Sequence, residues 1–333
     1  MILVTGATGL LGSHLLIQLT EQGESCRALY RNKSKIDDVH GLFHYYFQDK
    51  AEEKWHSIEW VYCDLLDISL VETAMSEINH VYHCAALVSF FKADFEACIQ
   101  HNRIATANVV NFSLRNKVEK LCYVSSTAAV GVNTKGASTE ANKWEPGSEV
   151  SGYSVSKFLA EKEVWRGVEE GLDCVIVNPC LIFGPGAWDE SSLTIFRTVE
   201  KGLPFYSTGT NAIVDVRDVA EILVQLSNSD IRNERFLCIG KNMPIREMLN
   251  EIARQLDKKE PWISTPRWLM GLTWRISAIV ALFRGKKPTI TRASANSAFS
   301  RMNYDATKVK ERLGIEFRSF EDTVSNAIKG RMS

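Results

Sequence analysis

Short apolar or β-branched runs alternate with longer amphipathic stretches through the first two-thirds of the chain. The short runs are ILVT (2–5), SCRALY (25–30), IEWVYC (58–63), HVYHCA (80–85), KLCYVS (120–125) and DCVIVN (173–178). Each reads as a strand. Between them, stretches such as LLGSHLLIQLTEQG, ADFEACIQHNRIATANVVNFSLRN and SVSKFLAEKEVWRGVEEG read as helices. Alternation of this kind predicts an α/β fold, a parallel sheet with helices on both faces. Right-handed crossovers then make it a Rossmann-type doubly wound sheet.

After residue 178 the pattern loosens. PCLIFGPGAWDESS is a loop punctuated by Gly and Pro, and GKKPTITRASANSAFSRMNYDATK has no clear period. The expected division is a large doubly wound domain over 1–178, with 205–240 returning to it. Residues 179–204 and 241–333 then form a smaller C-terminal α/β domain.

Composition narrows the classes. The 333 residues are 45% hydrophobic and 24% charged, ordinary for a globular protein. Lys plus Arg number 39 against 40 Asp plus Glu, so no global positive field exists to hold nucleic acid. The eight cysteines form no C-x-x-C pair and sit mostly in apolar runs, which suits free thiols in a reducing cytoplasm. No His, Cys, Asp or Glu cluster has metal-ligand spacing, and no metal is expected. The N-terminus lacks a basic leader and no apolar run reaches spanning length, so a soluble or at most peripheral protein is expected.

VTGATGLLGSHLL follows the first strand and opens a helix, with Gly6, Gly9 and Gly12 spaced G-x-x-G-x-x-G. Glycine permits the tight turn and the close approach of backbone, and the helix N-terminus receives a pyrophosphate. A bare glycine turn is the competing reading. Context decides between them, because the loop joins a strand to a helix in a βαβ pattern.

At this point the chain resembles the extended short-chain dehydrogenase/reductase superfamily, in its epimerase/dehydratase-like members. The motifs are TGATGLLG (5–12), CDLLD (63–67), HCAA (83–86), YVSS (123–126), YSVSK (153–157), NPCLIFGPG (178–186) and VDVRDVA (214–220). Their order and spacing carry the resemblance; RALYR resembles the dihydroflavonol 4-reductase type, and PTITRASANSAFSRMNYDATKVKERLG resembles the C-terminal stretch common to that type and the 3β-hydroxysteroid dehydrogenase type. The resemblance implies an NAD(P)-dependent oxidoreductase that is a homodimer through helices around 93–116 and 153–170. It places Thr8, Leu10 and Leu11 with the glycine loop on the cofactor, Asp64 and Leu65 beside the adenine, and Ala85, Ala86 and Leu87 beside the nicotinamide ribose. Ser125 and Pro179 are expected to border the cofactor as well.

In NAD-specific sites an acidic residue after the second strand binds the ribose 2′-OH. Here Arg31 stands in that position, with Lys33 and Lys35 beyond it. A guanidinium binds a 2′-phosphate that a carboxylate would repel, so NADP(H) is favoured over NAD(H).

Hydride transfer to a carbonyl requires a proton donor for the oxygen that becomes an alkoxide. Tyr153 and Lys157, four apart on one helix face, match the Y-x-x-x-K motif of the family. An ammonium nearby would lower the phenol's pKa from about 10 and make it an effective acid/base. Counted back from Gly131 by analogy with the family pattern, the resemblance gives Ser126 the substrate-orienting role, with Ser125 as the fallback. Capping and turn bonding is the plain reading of that Ser-Ser-Thr run. His83 reads as core, Asn102 as a structural bridge, and Asp215 and Asp218 as backbone-bonding or capping groups.

Three functions follow. The first is an NADP(H)-dependent reductase of a small, apolar ketone or aldehyde, or the reverse alcohol oxidation. The second is an NAD-retaining sugar-nucleotide epimerase, and the third a redox sensor or scaffold that binds NADP(H) without turning it over. Dehydration is disfavoured, because no acidic pair follows the serines in STAAVG. The apolar segment 266–287, flanked by Arg267, Arg284, Lys286 and Lys287, reads as a lid helix or, less favoured, as a membrane-surface contact. Substitution Arg31→Asp is expected to shift relative affinity from NADP(H) toward NAD(H), measured by fluorescence titration of both cofactors.

Overall fold

The computed structural model describes residues 1–89, 91–147, 150–284, 295 and 297–332. The chain runs through β1 (Ile2–Thr5), β2 (Cys26–Tyr30), β3 (Ile58–Tyr62), β4 (His80–His83), β5 (Lys120–Val124) and β6 (Cys174–Pro179). It continues through β7 (Leu181–Phe183), β8 (Gly186–Ala187), β9 (Phe205–Tyr206), β10 (Thr210–Asp215), β11 (Glu234–Cys238), β12 (Lys241–Pro244) and β13 (Ile263–Ser264). All six expected strands form, each ending within two residues of its expected limits. Lys286 and Lys287, and part of the aperiodic stretch around them, lie outside the described residues.

Seven strands pair in the order β11-β6-β5-β4-β1-β2-β3, every pair parallel. The period of two explains how these strands serve two layers at once. In β5, Leu121 and Tyr123 face one core while Cys122 and Val124 face the other. In β6, Cys174 and Ile176 share the first face, and Val175 and Val177 the second. In these central strands, with helices on both sides, neither face meets water, so apolar residues run continuously, whereas the edge strand β3 leaves Glu59 and Tyr62 exposed.

The winding reverses between β1 and β4. Chain leaving β1 turns one way and chain leaving β4 the other, which opens a crevice at the carboxyl ends of the strands. The helix Leu10–Glu21 packs beside the helix Val216–Ser227, with Leu15, Leu16, Val219 and Leu223 all fully buried between helix and sheet. Asp215 caps the latter helix by accepting from the Arg217 amide at 2.8 Å. Asp218 accepts from the Arg318 backbone at 3.0 Å and pairs with its guanidinium.

β11 pairs with β6, so residues 234–238 lie in the large sheet. A second sheet joins β10 to β7 in parallel and to β12 antiparallel. Phe183, Phe196, Ile213, Met248, Phe320 and Val324 form a third apolar cluster beside it, supplied partly by the helices Ile245–Gln255 and Phe320–Lys329. Among the described residues no helix is long and apolar enough to cross a membrane.

Leu223→Ala should cost about 2–5 kcal/mol, because this fully buried side chain leaves a cavity that two helices cannot easily close. Chemical denaturation should show a lower midpoint with an unchanged slope.

Candidate active site

The crevice is a cleft of about 2250 Å³, and every site residue expected from the sequence lines it, from Gly6 to Pro179. Convergence on one cavity follows from the topology, since most of these residues sit at or just beyond the end of a parallel strand and helices carry Lys35, Tyr153 and Lys157 to the same edge.

The glycine loop is shaped by contact. Gly6 has φ 64°, and a Cβ there would lie 2.7 Å from the Ala85 backbone. A Cβ on Gly12 would lie 2.1 Å from the Gly6 carbonyl oxygen. Side chains at either place would push the loop away from β4 and from the start of the helix. Gly9 precedes that helix without a capping side chain, so its first-turn amides, at Leu10, Leu11 and Gly12, border the cleft unmasked. Such a helix start suits an anion, and with the close glycine approaches it fits the pyrophosphate of a dinucleotide.

Across the crevice, Thr5 Oγ1 accepts from the Ala85 amide at 3.2 Å and contacts His83 Nδ1 at 2.7 Å. His83 Nε2 lies 3.0 Å from Thr106 Oγ1, and burial lowers its pKa to about 3. It is a neutral core histidine, as the sequence suggested. Asn102 holds Leu87 by both backbone groups, at 2.7 and 3.0 Å, and donates to Ser156 Oγ at 2.8 Å. It sits in a π-helical turn, Gln100–Ile104, that interrupts the long helix expected over 93–116. The Asp64 carboxylate accepts from the Leu66 amide at 3.0 Å, and Asn108 Nδ2 donates to the Leu65 carbonyl at 2.8 Å.

At the end of β2, Arg31 is exposed and lines the cleft. Lys35 is differently placed, because folding brings the loop after β8 against it, and its ammonium pairs with Glu190. Burial and the neighbouring Glu190 carboxylate push the Asp38 carboxyl up beside the same pair. The Lys35 charge expected for a phosphate is therefore shared with a carboxylate distant in sequence.

The hydroxyl, phenol and amine come together around the helix Gly152–Glu169. Ser151 caps it by accepting from the Ser154 amide at 3.1 Å, which sets Tyr153 in the first turn. Ser126 hydrogen-bonds the Tyr153 phenol and also accepts from the Ala128 amide at 3.1 Å. The capping and the functional readings of the Ser-Ser-Thr run thus fall on one side chain.

Two expectations need correction. Lys157 was expected to lower the pKa of Tyr153; burial instead raises it, and the opposing contribution is the Ser126 hydrogen bond. The Lys157 ammonium donates to the Val124 carbonyl at 2.7 Å and lies 4.8 Å from the Tyr123 ring centroid. Its anchor is strand backbone rather than the phenol one turn away. Burial lowers its pKa to about 8, and the Glu161 carboxylate works against that fall.

The second correction concerns metal-ligand spacing. Reversal of the chain after the helix Lys35–Phe47 brings Glu52 to His40 and His44, with the three ligand atoms within 4.8 Å. Glu52 Oε1 lies 2.9 Å from His40 Nε2 and 3.2 Å from His44 Nε2. None of the three lines the cleft.

Glu161 was missed in the sequence. This buried carboxylate accepts from Ser125 Oγ at 2.7 Å, Asn178 Nδ2 at 3.0 Å and Arg235 at 3.0 Å. Ser125 is thereby committed to the interior. The spacing of Lys157 and Glu161, four apart, was available as a signal. The Arg235 partner, 74 residues on and in β11, was not.

The NAD dependent epimerase/dehydratase family model matches residues 2–239. The chain belongs to that family. Like other extended short-chain dehydrogenases/reductases, it is an NAD(P)-dependent enzyme of the reductase/epimerase type. It is 30% identical to a putative dihydroflavonol 4-reductase of Synechocystis, over 98% of this chain and 92% of that one. It is 30% identical to sterol demethylase protein B of Methylococcus capsulatus, over 80% and 78%. The crystal structure of gox2253 superposes with a TM-score of 0.80 at 27% identity, covering 99% of this chain and 97% of the other.

Glu161→Gln should lower the Lys157 pKa further below about 8, since the carboxylate favours the charged amine. The alkaline limb of the kcat/KM profile should then move to lower pH. An unmoved limb would assign Glu161 a purely structural role.

Proposed function

We propose that this family member is an NADP(H)-dependent oxidoreductase that reduces the ketone or aldehyde of a small, apolar substrate, with Tyr153 as general acid. The carrying observation is the half-buried Ser126–Tyr153 hydrogen bond facing a cleft with several large apolar residues in the part beyond its nucleotide end. Phe91, Trp144, Ile195, Ile245, Met248 and Met302 line that part, and residues 179–204 and 241–333 are assigned as the substrate domain.

The nicotinamide, when bound, supplies or accepts the hydride. Ser126 holds the substrate oxygen by a hydrogen bond, and Tyr153 delivers the proton as that oxygen gains negative charge. Burial keeps the phenol protonated at neutral pH, which suits donation and hence reduction. Lys157, anchored on Val124, places a cation beside the reacting groups and toward the ribose. Arg31, exposed at the end of β2, is the guanidinium for a 2′-phosphate, which supports NADP(H) over NAD(H).

A sugar-nucleotide epimerase would have to hold a second diphosphate in the substrate half. Among the described lining residues the only guanidinium is Arg31, at the cofactor end. That distribution favours the reductase. Retention of Ser126, Tyr153 and Lys157 together disfavours a cofactor-binding scaffold. The same reading includes a homodimer through helices within 93–116 and 153–170. Its cytoplasmic setting is supported by eight free cysteines.

Tyr153→Phe should reduce kcat by about 10²–10⁴-fold against an aldehyde and ketone panel while leaving cofactor affinity nearly intact. Substantial retained turnover would sink the acid role. Purified protein should release its cofactor on dilution; tightly retained NAD would point to the epimerase.

A further inference from the structure

Between Pro261 and Tyr304 the sequence contains seven Lys or Arg and no Asp or Glu, within a chain whose net charge is -1. Three of the eight tryptophans, Trp262, Trp268 and Trp274, fall in the same interval. The structure turns the described part of this composition into a surface. β13 pairs with β9, setting Ile263 opposite Phe205, and the chain then enters the helix Arg267–Arg284. Trp268 is 72% exposed and Leu272 48%, one turn apart on one helix face. Trp262 at 54%, with Ile263 and Phe205 also exposed, extends the apolar surface from the base of the helix.

Cations border it. Lys259 lies over the Trp262 ring at 4.0 Å and Arg275 over Trp274 at 4.8 Å. Exposed apolar side chains gathered in a polar rim mark a binding surface, and tryptophan beside cations fits the water–lipid boundary. The described side chains of the helix do not line the cleft, which removes the main support for a lid. Arg267 nevertheless donates to the Phe299 carbonyl, between two cleft-lining residues, Ala298 and Ser300. The surface therefore adjoins the wall of the cleft.

We propose that this face docks the protein on an anionic phospholipid bilayer, with the helix Arg267–Arg284 lying along the interface. Its length and charge do not suit crossing, whereas Trp268 and Leu272 can enter the headgroup boundary while Arg267 and Arg275 meet phosphates. A second copy is a poorer occupant. A two-fold interface through this face would set its cations against the same cations of the partner. The proposal is independent of the reductase reading, because its readout is binding rather than turnover.

The test is co-sedimentation of the full chain with phosphatidylcholine vesicles containing 30% phosphatidylglycerol. The protein should pellet with them at low salt, at least tenfold more than with pure phosphatidylcholine, and should be released by high salt. Trp268→Ala with Leu272→Ala should lower anionic-vesicle binding at least tenfold and leave the melting temperature and NADPH affinity unchanged. Arg275→Glu, at another exposed side chain, should weaken binding in the same direction and gives a second test if the double variant misfolds. Absence of pelleting, equal pelleting with neutral vesicles, or variants that bind as the parent does would overturn the proposal. So would a dimer in gel filtration that the double variant dissolves while vesicle binding stays intact.

Discussion

The site depends on the helix Gly152–Glu169 being pressed against the carboxyl ends of β5 and β6. One stripe of this helix carries Tyr153, Lys157, Ala160, Glu161 and Val164, spaced by three or four residues. Ala160 and Val164 are apolar and fully buried among Tyr123 and Ile176. Their packing fixes the distance at which the polar members of the stripe meet the strands. Lys157 then reaches the Val124 carbonyl, Glu161 reaches Ser125 and Asn178, and Tyr153 meets Ser126.

Burying an ammonium and a carboxylate beside a half-buried phenol is costly unless each finds a partner. The partners come from three strands: Val124 from β5, Asn178 from β6 and Arg235 from β11. β11 therefore does more than extend the sheet. Its arginine neutralises the carboxylate that steadies the charge on Lys157. The same burial raises the phenol and lowers the amine, so low dielectric tunes both groups and hydrogen bonds moderate the result.

Local chemistry made much of the fold legible. Strands buried on both faces must read as short apolar runs, as β5 and β6 did, and the edge strand β3 still read as one through Ile58, Trp60 and Val61. Gly6 and Gly12 were legible because a side chain there would strike backbone. Ser126, Tyr153 and Lys157 were legible through spacing and resemblance. The partners of Lys35, Ser125 and Glu161 were not, since Glu190, Glu161 and Arg235 reach them only when separate segments pack. The histidine pair at 40 and 44 was visible as an i, i+4 spacing, but the carboxylate between them required the chain to reverse at residue 48.

By itself the sequence determined the strand and helix alternation, the glycine turn, the tyrosine–lysine spacing of one helical turn and the acid-free, tryptophan-rich stretch after Pro261. Each is written in residue type and short spacing, which obey local geometry. Tertiary structure decided the partners of those groups: backbone for Lys157, a hydroxyl for Tyr153, a carboxylate for Lys35, and solvent for Trp268. Charge state and exposure depend on what surrounds a group in three dimensions, and those neighbours come from distant parts of the chain.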